Sequence, residues 1–169
     1  MVFVNDTSLM MAAFYGHCLQ EMQFPSLSVT TYAGLCGDSK QNYNDSRLLM
    51  RFDNPYGITF DTNRLIYFTL KNDNVVLVID TVTELGYQLC STAVSPRYLL
   101  YEPATGNIWI TMDGGLAVIE PGNIPEAIQL QYGGGSGIGT VDSLRLDTPI
   151  DLEQLQVGVW ILVDYQYHR

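Results

Sequence analysis

The stretch RFDNPYGITFDTNRLIYFTLKNDNVVLVIDTVTELGYQLCS, residues Arg51–Ser91, decides the fold. It contains four short runs rich in Ile, Val, Tyr and Phe, separated by clusters of Asp, Asn, Lys and Thr. Short runs of β-branched and aromatic residues bounded by such clusters are typical of consecutive antiparallel strands joined by tight turns. The stretch therefore predicts one four-stranded antiparallel sheet.

The same pattern returns further along the chain. Pro55 and Pro96 are 41 residues apart, and Tyr67 and Trp109, which occupy the second run of each unit, are 42 residues apart. A third copy, RLDTPIDL at residues 145–152, follows RFDNPYGI after 94 residues and keeps its Arg, Asp and Pro. Self-similarity at a nearly constant spacing indicates a repeat architecture in which each unit is one supersecondary element.

We divide the chain into a partial unit at residues 1–34, two whole units at 35–91 and 92–133, and a second partial unit at 134–169. In the first unit we interpret VFVND as a second strand, LMMAAFY as a third and LSVTTYAG as a fourth. Ser8–Met22 has some helix-forming residues, but it is short and contains a glycine, so we expect strand, turn and loop there.

The repeats resemble the NHL family of β-propellers. The resemblance rests on the insertion TTYAGLCGDSK, then RFDNPYGITFD and then LIYFTLKNDNVVLVID, and it extends from about Val29 onward. It implies an all-β fold of four-stranded antiparallel blades forming an incomplete NHL-like propeller, with partial blades at both termini. The first-strand glycine of that family is present as Gly57, but Tyr98 and Asp151 stand at the equivalent positions of the later units.

About three blades leave apolar sheet faces and strand edges uncovered, and such surfaces are templates for another chain. We therefore expect a non-enzymatic structural or protein-interaction module that assembles with other copies of itself or with the remainder of a longer chain. Strand addition between copies would generate a filament if the contact does not close into a ring. The expected assembly strands comprise Val2, Phe3 and Val4 near the start and Val159, Trp160, Ile161, Leu162 and Val163 near the end.

Charge and hydropathy exclude some partners. The chain carries 8 basic and 18 acidic residues, a formal charge of −10, which repels nucleic acid and anionic lipid. No run approaches the roughly 20 apolar residues that span a bilayer, so we expect no membrane insertion.

Cysteines and sequons favour an extracellular protein, although no signal peptide is visible. The three cysteines leave at least one unpaired, and Cys18 with Cys36 is the candidate disulfide. Asn5 and Asn44 begin Asn-X-Thr/Ser sequons and are candidate N-glycosylation sites.

A catalytic constellation is not visible. The two histidines, His17 and His168, lie far apart in the chain, and the glycine run YGGGSGIG lacks the following helix of a phosphate-binding loop. We expect no cofactor. Several aspartates could instead bind calcium near a propeller axis, although turn stabilisation is the more economical interpretation. These are Asp53, Asp61, Asp113, Asp147, Asp151 and Asp164.

The rival hypothesis is an enzyme. Resemblance to six-bladed propellers implies relatives that are metal-dependent lyases or lactonases with a site at the central tunnel. Tyr67, Trp109 and Trp160 recur at one repeat position, so we interpret them first as packing residues.

Overall fold

The structure is a computed structural model that describes residues 1–120 throughout and, beyond them, the backbone of strand segments 127–128, 132–133, 149–156 and 159–164. These residues form successive antiparallel sheets, which confirms the predicted all-β fold of propeller-like blades. The described residues contain a single helical turn, the 3-10 segment Phe14–Gly16. No helix in this part of the chain is long and apolar enough to cross a lipid bilayer.

The first sheet has four strands in the order β1-β2-β3-β4. They are β1 (Val2–Asn5), β2 (Ser8–Ala13), β3 (Cys18–Gln23) and β4 (Ser28–Ala33).

This sheet corrects our interpretation of the N-terminal unit. We placed three strands there and took VFVND for the second, whereas Val2–Asn5 is the first strand and Cys18–Gln23 is an additional one. The chain reverses at the 3-10 turn, where His17 adopts a left-handed conformation with φ 54°. β3 reads CLQEMQ, in which polar and apolar residues do not alternate, so the sequence alone predicts a loop there.

The second sheet is formed by the stretch Arg51–Ser91. Its strands are β6 (Pro55–Phe60), β7 (Leu65–Leu70), β8 (Val75–Asp80) and β9 (Leu85–Thr92). Two short segments lengthen it at its outer strand: β5 (Asp45–Ser46) pairs antiparallel with β9, and β13 (Ala127–Ile128) pairs parallel with it. Both ends of this edge strand are thus paired with the chain's own backbone, a common protection against unwanted strand pairing.

The third sheet contains β10 (Pro96–Tyr101), β11 (Ile108–Met112), β12 (Gly115–Ile119) and β14 (Tyr132–Gly133), paired in that order. A two-stranded sheet follows, formed by β15 (Pro149–Gln156) and β16 (Val159–Asp164). Successive sheets touch: β6 lies against β2 and β10, and β10 lies against β15. This is the arrangement of propeller blades around an axis.

The core consists of two apolar layers, one on each side of the second sheet. β8 reads VVLVID and is apolar at five consecutive positions because both of its faces are buried. Its odd-numbered residues pack toward the first sheet with Phe52 and Phe68, whereas Val76 and Val78 pack toward the third sheet with Ile110 and Met112. Burying one such side chain stabilises the fold by about 1.5–3 kcal/mol.

Candidate functional site

The first sheet carries an apolar surface on the side that points away from the second sheet. Met10 and Leu19 belong to the core layer shared with the second sheet, so their neighbours along β2 and β3 point in the opposite direction. Strand pairing aligns these neighbours across the sheet: Phe3 lies opposite Leu9, and Met22 lies opposite both Leu9 and Val29. We call this surface the outward face; it is formed by Phe3, Leu9, Met11, Gln20, Met22 and Val29.

The outward face remains partly open to solvent. Phe3 is 66% exposed and Val29 is 46% exposed, and Phe3 stacks on Phe24 with ring centroids 6.3 Å apart. Leu9 is buried, and Met22 is partly buried. An exposed cluster of large apolar side chains on one sheet face is typical of an interaction surface.

The same positions are covered in the second sheet. Phe3, Leu9 and Met22 lie 57 residues before Phe60, Ile66 and Ile79. These three second-sheet residues contribute to the core layer that the first sheet covers, and Ile66 and Ile79 are 0% exposed there. The equivalent face of the second sheet is therefore packed against the four-stranded first sheet, whereas the outward face of the first sheet is not covered in this way. This correspondence could have been found in the sequence had β3 been recognised as a strand.

The candidate assembly strands are placed as follows. Val2 and Val4 are partly buried against the core layer between the first and second sheets, whereas Phe3 lies on the outward face. Val159, Trp160, Ile161, Leu162 and Val163 form most of β16, which pairs with β15.

The candidate disulfide partners are bonded in the structure. Cys18 and Cys36 have Cα atoms 5.0 Å apart and enclose a sequence separation of 18 residues. The bond ties the start of β3 to the insertion that follows β4, and the Gly37 amide donates a hydrogen bond to the Gly16 carbonyl beside it. The remaining cysteine, Cys90, is buried, and burial raises the pKa of its thiol to about 12, so it stays protonated.

Arg47 attaches the segment between β4 and β6 to two sheets. Its guanidinium lies 4.6 Å from the centroid of the Tyr32 ring and donates to the Tyr32 carbonyl oxygen. It also pairs with the Glu84 carboxylate at 3.0 Å. Tyr32 belongs to β4 and Glu84 to the turn before β9, so one side chain connects the first and second sheets.

Both candidate glycosylation residues are exposed. The Asn5 side-chain oxygen accepts hydrogen bonds from the Thr7 amide and hydroxyl, each at 2.8 Å. The Asn44 side-chain oxygen accepts a hydrogen bond from the backbone amide of Gln88 at 3.2 Å. In both residues the amide nitrogen, to which a glycan would be attached, makes no hydrogen bond to the described part of the chain.

His17 is part of a structural contact between sheets. Its Nδ1 lies 2.8 Å from an Asp53 carboxylate oxygen, and the contact joins the turn after β2 to the segment before β6. The other Asp53 oxygen accepts from the Asn54 amide side chain at 3.2 Å. His168 and most of the glycine run lie outside the described residues.

The aspartates proposed for calcium do not all lie together. Asp61 follows β6 and Asp113 follows β11, so these two are at opposite ends of their sheets. Asp61 accepts the amides of Asn63 and Leu65, each at 2.8 Å, and Asp113 pairs with Arg97 at 2.6 Å. Within the described residues, no three His, Cys, Asp or Glu side chains form a group that could hold a metal ion. Asp147 lies outside those residues, and Asp151 and Asp164 are described only as strand backbone.

The repeated aromatic residues have a second role besides packing. Tyr67 donates its hydroxyl to Asp61 at 3.2 Å, and Trp109 donates its indole N–H to Glu102 at 3.1 Å. Both acids directly follow the first strand of their sheet. Burial, and then the Asp61 charge, raise the pKa of Tyr67, so the phenol stays a neutral donor. The side chain of Trp160, the third residue of the set, lies outside the description.

Comparisons with known proteins bear on the fold alone. No sequence profile of a known family matches this chain, and no curated protein matches it. Solved structures with a similar fold include the hydrazine synthase of Kuenenia stuttgartiensis, with a TM-score of 0.55 and 12% sequence identity. The match covers 86% of this chain and 35% of that chain, so the protein spans about a third of the length of this structural relative.

Proposed function

We propose that this protein is a non-enzymatic interaction module that assembles through the outward face with another propeller-like sheet. The partner sheet belongs to a second copy or to further blades of a longer chain. One observation carries the proposal: Phe3, Leu9 and Met22 of the outward face correspond, 57 residues later, to residues that pack in the core layer that the first sheet covers.

Burial supplies the driving force. Phe3 on the outward face is 66% exposed, whereas its counterpart Phe60 packs against the core layer. Covering a side chain of this size removes apolar surface from water and yields about 1.5–3 kcal/mol. If each copy adds to the next without closing a ring, the product is a filament.

Replacing Val29 with glutamate is expected to weaken self-association by about tenfold, because it places a charge in an apolar contact. Sedimentation equilibrium over a concentration series measures the association constant. Phe3→Glu should act in the same direction.

Val82→Glu is the matched control. Val82 is 66% exposed and lies in the turn between β8 and β9, away from the outward face, so the same chemical change should leave association unaltered. A chain that stays monomeric at about 100 μM, where even weak specific interfaces associate, would contradict assembly between copies. Equal effects of Val29→Glu and Val82→Glu would refute the role of the outward face.

We further propose an extracellular location. The Cys18–Cys36 bond supports it, because disulfides persist mainly in oxidising compartments. The exposure of Asn5 and Asn44 supports it as well, since an attached glycan needs free surface around the acceptor nitrogen.

Expression through a eukaryotic secretory pathway is therefore expected to give a product with two glycans. Mass spectrometry before and after endoglycosidase treatment measures them, and Asn5→Gln and Asn44→Gln should each remove one. Asn63→Gln, at an exposed asparagine outside any sequon, should change nothing. A secreted product without glycans would exclude this use of the two sequons.

A further inference from the structure

A cleft of about 410 Å³ opens between the second and third sheets. It lies at the end of the sheets where β6 turns into β7 and β10 turns into β11, away from the outward face. Its volume is within the range of roughly 300–1,000 Å³ that small-molecule sites occupy.

The walls of the cleft are mainly apolar and aromatic. Leu65, Ile108 and Ile119 line it together with the rings of Tyr67 and Tyr101. Tyr67, Ile108 and Ile119 are almost completely buried, so this part of the wall is held by the core layer between the two sheets. A preformed apolar wall of this kind favours the body of an organic ligand over water.

The charges at the cleft are negative. Asp61 and Glu120 line it, and none of its described lining residues is Lys, Arg or His. Asp61 is only 4% exposed and forms no ion pair with the described residues, whereas Glu120 is exposed. A carboxylate on a low-dielectric wall acts on a ligand more strongly than one in open water, so the cleft repels anions and attracts cations.

Asp61 keeps capacity for one more donor. Its Oδ1 accepts two backbone amides, those of Asn63 and Leu65, and its Oδ2 accepts the Tyr67 hydroxyl. An ionised carboxylate offers about four acceptor positions, so Oδ2 can take a further N–H. The faces of the Tyr67 and Tyr101 rings also attract a positive charge.

We propose that this cleft binds a small organic cation, a primary ammonium group carried on an apolar body. The ammonium group lies near Asp61 and Glu120, and the apolar body contacts the Tyr and Ile side chains of the wall. The proposal is independent of the outward face, because the cleft lies between the second and third sheets. The same chemistry is offered by a free amine and by the side chain of a lysine on another protein.

Three probes of matched shape test the charge requirement: benzylammonium, benzyl alcohol and benzoate. Benzylammonium should bind saturably with a Kd of about 1 mM, the affinity typical of so few atoms, and shift the amide resonances of residues around the cleft. Benzyl alcohol should bind about fivefold more weakly, and benzoate should not saturate. Equal binding of the three probes, or no binding of benzylammonium up to about 20 mM, would overturn the proposal.

Glu120→Gln tests the site, and Asp6→Asn is its control. Both remove one exposed negative charge, but Asp6 lies in the turn between β1 and β2, far from the cleft. Benzylammonium should bind about fivefold more weakly to Glu120→Gln and unchanged to Asp6→Asn. Equal losses in both variants would show attraction by net charge alone and overturn the assignment.

Nα-acetyl-lysine methylamide distinguishes the two sources of the ammonium group. Binding tighter than that of benzylammonium, with the same dependence on Glu120, assigns the cleft to a lysine side chain. Weaker binding assigns it to a free amine. Both results retain the proposal, which stands only if benzylammonium itself binds.

Discussion

Replacing Gly57 with alanine is expected to lower the free energy of unfolding by about 3 kcal/mol, because the inner strands β6 and β10 meet at this residue. A Cβ atom at Gly57 would overlap the carbonyl oxygen of Arg97 and lie 2.7 Å from the Cα of Tyr98. Both neighbours are backbone atoms, so the third sheet as a whole would have to move. Urea denaturation measures the loss.

A hydrogen-bond bridge at the same place adds to the effect. The Gly57 amide donates to the Thr69 hydroxyl at 2.9 Å, and that hydroxyl donates to the Arg97 carbonyl at 2.5 Å. Thr69 is 0% exposed, so separating the strands would leave buried polar groups unpaired.

Gly37→Ala separates the steric effect from backbone strain. Gly37 has φ +86°, but a Cβ there would meet nothing within 4 Å. The only expected loss in the free energy of unfolding is the cost of holding alanine at a positive φ, about 1 kcal/mol. Similar losses for Gly57→Ala and Gly37→Ala would show that the close approach of β6 and β10 does not limit stability.

Removing the disulfide with Cys18→Ala and Cys36→Ala together is expected to lower the free energy of unfolding by about 3 kcal/mol. The bond closes a loop of 18 residues, and opening such a loop returns about this much entropy to the unfolded chain. The insertion after β4 also loses its attachment to the start of β3. Thermal or urea denaturation in the absence of reductant measures the difference.

Reduction of the unsubstituted protein supplies the control. Dithiothreitol should produce a similar loss in the natural sequence and no further loss in the double variant. The third cysteine, Cys90, contributes no bond and stays in both proteins. A double variant as stable as the parent would mean that the Arg47 contacts with Tyr32 and Glu84 hold the insertion by themselves.

The second sheet was predictable from sequence because its signals are local. Four runs of strand-forming residues and three polar turns occur within Arg51–Ser91, and β6 to β9 occupy those runs. The equivalence of Tyr67 and Trp109 was visible in the spacing, and the structure shows both residues bonded to an acid that follows a first strand. The repeat thus predicts a shared contact as well as a shared position.

The first sheet was harder to predict because one of its strands lacks the local signals. β3 contains Gln20, Glu21 and Gln23, and its partner strand β2 is followed by a 3-10 turn rather than an Asp-rich one. Pairing with β2 and β4 on both sides makes this segment a strand. Tertiary contacts of this kind routinely override weak local propensity.

Some of the candidate sites could likewise be predicted from the sequence, and others could not. The sequence indicated the sequons, the cysteines and the strand Val2–Val4, since each is a short motif. The cleft was not predicted, because its walls come from β7, β9, β10, β11 and β12, and no motif in any one strand records where the others will lie.

The sequence by itself determined the strands, the turns and the repeat, since alternation of side chains and turn chemistry act between residues close in the chain. Only the tertiary structure decided which sheet faces are covered, why Gly57 must lack a side chain, and that Asp61 lines a cleft together with residues of the third sheet. These depend on how the sheets pack, and packing distances between residues far apart in the chain follow from the assembled backbone rather than from any local pattern.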